Sequence, residues 1–288
     1  ASLDAALAGA DAVINCAGPF FDTAIPVINA ALRAGIPYLD VCAEQATVQR
    51  VFDARHGAAV QAGVPVIPAA AFYGGLADLL ATAAADGAEH IDEIAVAVGL
   101  DSWHPTHGTR VTGLRNTAPR LVQRHGKLNA VTAPPPTGRW EFAEPLGSRE
   151  VMMLPFSETI TLTSHLSADT IESWINVEPI RDIRDAATPE PLPTDDLGRS
   201  DQRFILDVVV SAAGRRHRAT ASGSDIYQVS APIIVEAAQR LLAGDAARIS
   251  GVHALGKIFG ARDFLSALEP HGVHTLYSDH PPAILRRA

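Results

Sequence analysis

The sequence predicts an α/β fold: the second half of a doubly wound parallel sheet, carrying an inserted α+β domain built on an antiparallel sheet. Three observations carry this expectation. Short apolar strands begin 26 and 27 residues apart over the first ninety residues, with helical patterns between them. After residue 90 the apolar period becomes that of strands and hairpins. From Ser224 it turns helical again.

The strands are "DAVINC" (11–16), "PYLDVC" (37–42) and "VPVIPA" (64–69). They are apolar on both faces, as strands inside a sheet covered by helices on both sides must be. Between them, "TAIPVINAALRAG" offers Thr23 as N-cap and Gly35 as stop. "EQATVQRVFDARHGAAVQAG" sets Val48, Val51, Phe52 and Val60 on one face and stops at Gly63. Such short strand–helix–strand connections give parallel neighbours and right-handed crossovers. In the second region, "RLVQRHGKLNAV" (120–131) predicts a hairpin turning at His125–Gly126, and "RFILDVVVSAAGRRHRATASG" (203–223) one turning at Ala213–Gly214. "REVMMLPF", "ETITLT" and "DTIESWINVEPI" have strand patterns, while 187–200 is a breaker-rich loop. "SDIYQVSAPIIVEAAQRLLAG" carries Ile226, Val229, Ile233, Ile234, Ala237 and Leu241 on one helical stripe, and "GARDFLSALEPHG" adds a last short helix. The expected division is 1–89, 90–222 and 223–288, the last returning to the parallel sheet.

Composition narrows the function. The net charge of −9 is spread along the chain, and residues 1–88 hold 3 Lys/Arg against 8 Asp/Glu. No basic stripe suits a phosphate backbone, so nucleic acid is not an expected partner. Cys16 and Cys42 are the only cysteines, which excludes a disulfide scaffold and argues against a structural zinc. No apolar run reaches membrane-spanning length. The expectation is a cytoplasmic protein with no membrane insertion and no metal.

In an open parallel sheet, ligands bind beyond the carboxyl ends of the strands. Those ends are "NCAGPF", "VCAE" with Glu44 at its tip, and "AAFYGGLAD" with Gly74 and Gly75 opening a helix. A G-x-G-x-x-G fingerprint is absent. "GVHALGKI" (251–258) imitates a phosphate loop but has Ile258 where the magnesium-binding hydroxyl must stand. A short-chain dehydrogenase needs Lys four residues after Tyr, yet Tyr38, Tyr73, Tyr227 and Tyr277 are followed there by Cys42, Ala77, Ala231 and Pro281. In "WHPTHGTR" (103–110) two histidines lack a third ligand, which favours a loop with surface or hydrogen-bonding histidines over a metal; as loops of a second domain often close over a cofactor site, substrate contact by His107 and Thr109 is the functional reading. Trp103, Trp140 and Trp174 are expected in packing.

Taken together, "GADAVINCAGPF", "PVINAALRAGIPYLDVCAE", "QAGVPVIPAAAF" and "GLADLLA" resemble the saccharopine dehydrogenase-like oxidoreductases, including their trans-acting enoyl reductase relatives. The sequence departs from that pattern at Ala43, where the family has Gly, and at Leu76, where it has Pro; Asp78 is kept. "THGT" and the segment from "SDIYQVSAPIIVEAAQRLLAG" also resemble the family's later elements.

The resemblance implies a Rossmann domain, NAD(P) binding with NADP favoured, and hydride transfer to or from a small imine, carbonyl or enoyl substrate. It further implies that a Gly-rich first half of the Rossmann domain precedes "VINCAGPF", so that the chain is expected to be amino-terminally truncated. Asn15, Cys16, Ala17, Gly18, Pro19 and Phe20 are then the cofactor-binding candidates. Glu44, Tyr73 and His107 are the catalytic candidates, and Asp78 and Thr109 the substrate contacts. A homodimer through the antiparallel sheet is the expected assembly. The alternative is a non-enzymatic scaffold or dimerisation protein of the same ancestry that lacks the phosphate loop.

Overall fold

A computed structural model describes residues 2–244 and 249–279 and the backbone of 285–287. After a short helix α1 (Leu3–Ala6), strands β1 (Val13–Asn15), β2 (Tyr38–Asp40) and β3 (Pro65–Ile67) pair in parallel in that order, as their sequence spacing predicts. Helices α2 (Phe20–Ala34) and α3 (Gln45–Ala62) connect them, each closed by a left-handed glycine, Gly35 and Gly63. A π-helical turn at Phe72–Leu76 leads into α4 (Ala77–Ala85).

The second sheet starts with β4 (Ile91–Leu100), and helix α5 (His107–Arg115) follows. Next come β5 (Leu121–Arg124), β6 (Lys127–Ala130), β7 (Thr137–Glu141) and β8 (Ser148–Met153). Helix α6 (Glu158–Thr163), strand β9 (Ala168–Asn176), helix α7 (Val177–Arg184), and strands β10 (Arg203–Ala212) and β11 (Arg215–Ser224) complete this region. Helix α8 (Ser230–Ala243) then leads to β12 (Gly251–Val252), which joins the parallel sheet beside β3. Helices α9 (Leu255–Ile258) and α10 (Ala261–Ala267) precede β13 (His274–Asp279) and β14 (Leu285–Arg287). The large sheet is mixed and mostly antiparallel, in the order β13-β11-β10-β4-β9-β8-β7-β14; β4 and β9 are the parallel pair.

Alternation along the strands of this sheet makes two cores. Val96, Val98, Leu206, Val208, Ile171 and Ile175 face α4, α8 and α10, whereas Ala97, Ile205, Val209 and Trp174 face the other way. That second face is covered by the sheet itself. Strands β13 and β14 lie at opposite ends of the path, yet residues 279 and 285 are six chain steps apart. Six steps reach at most about 22 Å. A flat path of eight strands would separate its edges by about 34 Å. The sheet therefore curls. Trp140 on β7 donates its indole N–H to Asp207 on β10 at 3.0 Å, and Arg218 on β11 bonds both Asp207 and the Glu141 carbonyl.

Both predicted hairpins form, and their turn residues share positive φ: 51° and 69° at His125–Gly126, 50° and 74° at Ala213–Gly214. Trp103, Trp140 and Trp174 are all buried. Four local expectations are corrected. "ETITLT" is the helix α6, not a strand. It is buried, and Thr161 and Thr163 donate their hydroxyls back to the Glu158 and Thr159 carbonyls at 3.1 and 2.6 Å, satisfying a β-branched sequence inside a helix. Thr23 is not an N-cap; α2 begins three residues earlier, and Thr23 bonds the Ala17 carbonyl at 2.6 Å. Val60 is 46% exposed, so Ala59 completes the buried face of α3. The stripe from Ile226 begins in turns, with α8 proper starting at Ser230.

Ile226, Val229, Ile233 and Ile234 are nevertheless buried in one core with Leu39, Ile67 and Leu76 of the parallel-sheet region. Residues 245–248 and 280–284 of the carboxyl-terminal span lie outside the described residues. Among the described residues, no helix is long and apolar enough to cross a membrane.

Candidate active site at the carboxyl edge of the parallel sheet

Parallel pairing of β1 and β2 sets Asn15 opposite Asp40, and a continuous hydrogen-bonded path grows from that pair. Asn15 accepts the Ala17 N–H at 3.1 Å and donates to Thr23 Oγ1 at 3.3 Å and Tyr38 Oη at 3.2 Å. Tyr38 donates to Asp40 Oδ2 at 2.8 Å, and Asp40 Oδ1 accepts the backbone N–H groups of Cys42 at 2.9 Å and Ala69 at 2.7 Å. The Cys42 thiol donates to Glu44 Oε2 at 2.7 Å, while Glu44 Oε1 accepts the Phe20 N–H at 3.2 Å. One path thus ties the ends of β1, β2 and β3 to the start of α2.

The ionisation states follow from burial. Asp40 is fully enclosed, and desolvation pushes its carboxyl up to about 6, against the opposing pull of the Ala69 and Cys42 N–H groups and the Tyr38 hydroxyl. Burial, then the Asp40 charge, pushes the Tyr38 phenol upward. Burial, then the Asp40 and Glu44 charges, pushes the Cys42 thiol well upward. Both therefore keep their protons and act as donors, as the geometry requires.

This buried frame leaves Cys16, Ala17 and Gly18 exposed at the sheet edge, with Pro19 partly covered and Phe20 packed beneath. A side-chain carbon added at Gly18 would meet only the Phe20 ring at 3.5 Å and Thr112 Oγ1 at 3.9 Å, ordinary contacts that leave the turn open.

The second region closes over the same edge. Gln45 donates to the Leu121 carbonyl and accepts the Leu121 N–H, both at 2.8 Å. This sets Arg120 just before β5, its guanidinium 4.8 Å over the Phe156 ring; burial lowers its basicity, opposed first by the Glu158 charge. Tyr73 stacks on Phe156 with centroids 4.1 Å apart. Burial pushes the Tyr73 phenol well upward and the Glu158 carboxyl upward as well. Farther along, Trp103 Nε1 and Thr109 Oγ1 bond Tyr227 Oη at 2.9 and 3.1 Å, and Tyr227 lines a cavity of about 240 Å³ shared with His104 and Gln202.

The structure therefore brings together Asn15 to Phe20 and Glu44, sets Tyr73 apart on Phe156, and bonds Thr109 to Tyr227. His107 is exposed at the first turn of α5, whose Arg115 ion-pairs with Asp22 of α2 at 2.9 Å. Asp78 is not at the edge. It is fully buried, bonding His165 Nε2 at 2.6 Å and the Gly256 N–H at 2.5 Å, and so joins α4 to α9 and the His165 loop. This also explains "GVHALGKI": a carbon at Gly256 would lie 2.8 Å from Asp78 Oδ2, so the glycine serves a close approach. Among the described residues, no group of three or more His, Cys, Asp or Glu could hold a metal.

Sequence reasoning missed Asp40, Gln45, Arg120, Ser157 and Glu158. Asp40 had a signal, a lone acid inside an apolar strand; Arg120 had none, because its partners are distant in sequence.

The model of the saccharopine dehydrogenase NADP-binding domain family matches residues 1–67. No curated protein sequence matches the chain. Among solved structures, apo saccharopine dehydrogenase (L-Glu forming) from Saccharomyces cerevisiae is 14% identical, with a TM-score of 0.65 over 96% of this chain and 86% of that one. This likeness shows the fold. Amine dehydrogenase from Mycobacterium smegmatis is 9% identical, with a TM-score of 0.40 over 89% and 78% of the two chains. Dipicolinate-bound dihydrodipicolinate reductase from Paenisporosarcina sp. TG-14 is 9% identical, with a TM-score of 0.37 over 90% and 78%. Neither of these two bears on the argument.

Proposed function

We propose, from the premise that residues 1–67 belong to the saccharopine dehydrogenase NADP-binding domain family, that this chain is an NAD(P)-dependent oxidoreductase acting on a small imine, carbonyl or enoyl substrate. The observation that carries the reading is the exposed Cys16–Ala17–Gly18 turn, held rigid from beneath by Asn15, Asp40 and Glu44 at the carboxyl edge of a parallel sheet.

The residues present fit the nicotinamide end of the cofactor. Cys16, Ala17 and Gly18 offer an exposed backbone surface without bulky side chains, over buried Asn15 and Phe20, whereas no G-x-G-x-x-G stretch in these 288 residues fits the pyrophosphate. NADP is favoured over NAD by the family alone. When bound, the nicotinamide supplies or takes up the hydride. The chain's own groups do the rest. Glu44 fixes the Phe20 N–H and, through it, the turn; Tyr73 keeps its proton and is the candidate donor to a reacting heteroatom. His107 and Thr109 orient substrate from α5, with Tyr227 behind Thr109.

Oxidation of NADPH and NADH, followed by loss of reduced-nicotinamide absorbance against imines, carbonyls and enoyl compounds, tests the reading. For these 288 residues alone no turnover is expected; with a Gly-rich first half of a Rossmann domain supplied at the amino terminus, turnover with at least one class is expected, together with a large loss in Tyr73→Phe. Absence of turnover with every class, in the completed protein that stays folded, would favour the scaffold alternative.

A further inference from the structure

We propose that α5 is a lid over the Cys16–Gly18 turn, latched shut at its carboxyl end by Arg115 against Asp22 and Phe21 of α2. The lid and its latch rest on contacts within the chain; that the lid covers a nicotinamide rests on the oxidoreductase reading.

Little holds α5 in place through packing. It buries no side chain, whereas α2, α3, α4, α7 and α8, the other described helices of eight residues or more, all do. Its one leucine, Leu114, is 84% exposed. Gly113 loosens the helix further, and a carbon placed there would meet nothing within 4 Å, so no close approach requires the glycine. Segments with few buried contacts and solvent-exposed backbone hydrogen bonds open at low free energy, and lids are drawn from them.

The attachments differ along the helix. At the amino end Thr106 accepts the Thr109 N–H at 3.2 Å, and Thr109 donates its hydroxyl to Tyr227 Oη at 3.1 Å. Arg110 donates to the Asp185 carbonyl at 3.3 Å and the Thr188 carbonyl at 2.6 Å. At the carboxyl end Arg115 pairs with Asp22 at 2.9 Å, both side chains about half exposed, and its guanidinium stands 4.5 Å over the Phe21 ring. An ion pair this exposed is weak and screened by salt. One end is thus anchored and the other is held by a releasable contact, so α5 lifts from Arg115 about its Thr106 end.

Beneath the releasable half lies the turn. A carbon at Gly18 would stand 3.9 Å from Thr112 Oγ1, one helical turn or less from Arg115. Phe21 and Asp22 follow the turn directly in the first turn of α2, so the latch grips the same segment that carries Cys16, Ala17 and Gly18. With Arg115 engaged, α5 walls the turn on one side; with it released, that side opens to solvent. Such a lid admits a ligand when raised and keeps water from the reacting atoms when shut.

Hydrogen exchange of the full chain, read by mass spectrometry at low salt and in about 0.5 M NaCl, tests this. In wild type the α5 amides should exchange at least about tenfold faster than those of α7, a helix of similar length that buries Pro179 and Ile180. Asp22→Asn should raise α5 exchange several-fold further, as should salt in wild type; in Asp22→Asn salt should add little. Asp4→Asn, which breaks the Arg33 pair at the other end of α2, should leave α5 as in wild type. Exchange of α5 no faster than α7, or indifferent to both Asp22→Asn and salt, overturns the latched lid. NADPH that contacts the turn should slow α5 exchange. If saturation transfer reaches the nicotinamide protons and α5 exchange is unchanged, the lid fails and the oxidoreductase reading stands. If NADPH is not bound while α5 responds to Asp22→Asn and to salt, the oxidoreductase reading fails and the lid over the turn stands.

Discussion

The Gln45 carboxamide and the Leu121 peptide unit hydrogen-bond each other in both directions at 2.8 Å, across 76 positions of sequence. A carboxamide is the one side-chain group that can imitate a strand partner in this way, offering a donor and an acceptor in one plane. Here it fastens the first residue of β5 to the first turn of α3.

Removing that side chain leaves the Leu121 N–H and carbonyl without partners in a part-buried setting. Gln45→Ala should cost about 1–3 kcal/mol in chemical denaturation. Gln45→Glu should be at least as harmful, because its second oxygen would face the Leu121 carbonyl. A glutamate variant milder than the alanine one would mean that the pairing does not run in both directions.

Asp40 predicts a pH effect of definite sign. Its folded carboxyl is raised from 3.8 to about 6, so between those values the folded state holds a proton that the unfolded state has released. Stability is therefore fully helped below pH 3.8 and declines as pH rises through about 6, by about 3 kcal/mol for this group alone. Urea denaturation of wild type and Asp40→Asn at pH 4 and pH 7 measures it. The difference between the two proteins should shift against wild type on going to pH 7; a constant difference would contradict the raised value.

Two glycines separate packing from propensity. A methyl at Gly256 would stand 2.2 Å from Thr82 Oγ1 and 2.8 Å from Asp78 Oδ2, whereas one at Gly57 in α3 meets nothing within 4 Å. Gly256→Ala should destabilise by about 1–3 kcal/mol. Gly57→Ala should stabilise by about 0.5–1 kcal/mol. Thermal unfolding of the two variants is expected to move in opposite directions.

What the sequence displayed depended on how local the cause was. The parallel strands showed because apolar runs and stop glycines recur at short range, and the two I′ hairpins showed because each is written in two turn residues, His125–Gly126 and Ala213–Gly214. "ETITLT" misled because alternating β-branched residues describe a strand unless the surrounding core supplies a reason for hydroxyls to bond back to a helix. In the site, Asn15, Gly18 and Glu44 were visible as strand-end residues. Arg120 and Ser157 were not, because their meaning comes from Phe156 and Tyr73, brought beside them only by the tertiary fold. Asp78 shows the converse: expected at a strand end as a substrate contact, it works inside the core.

Saturation-transfer NMR of NADPH with the full chain most directly tests the claim that the Cys16–Gly18 turn receives a nicotinamide. Gly18→Trp is the decisive comparison, since a Cβ there makes only ordinary contacts with the Phe20 ring and Thr112 at an exposed position of the turn. The account predicts saturation of the nicotinamide protons by wild type, and its loss in Gly18→Trp at an unchanged unfolding temperature. Saturation confined to the adenine protons, equal saturation in both proteins, or none at all in folded wild type would contradict it.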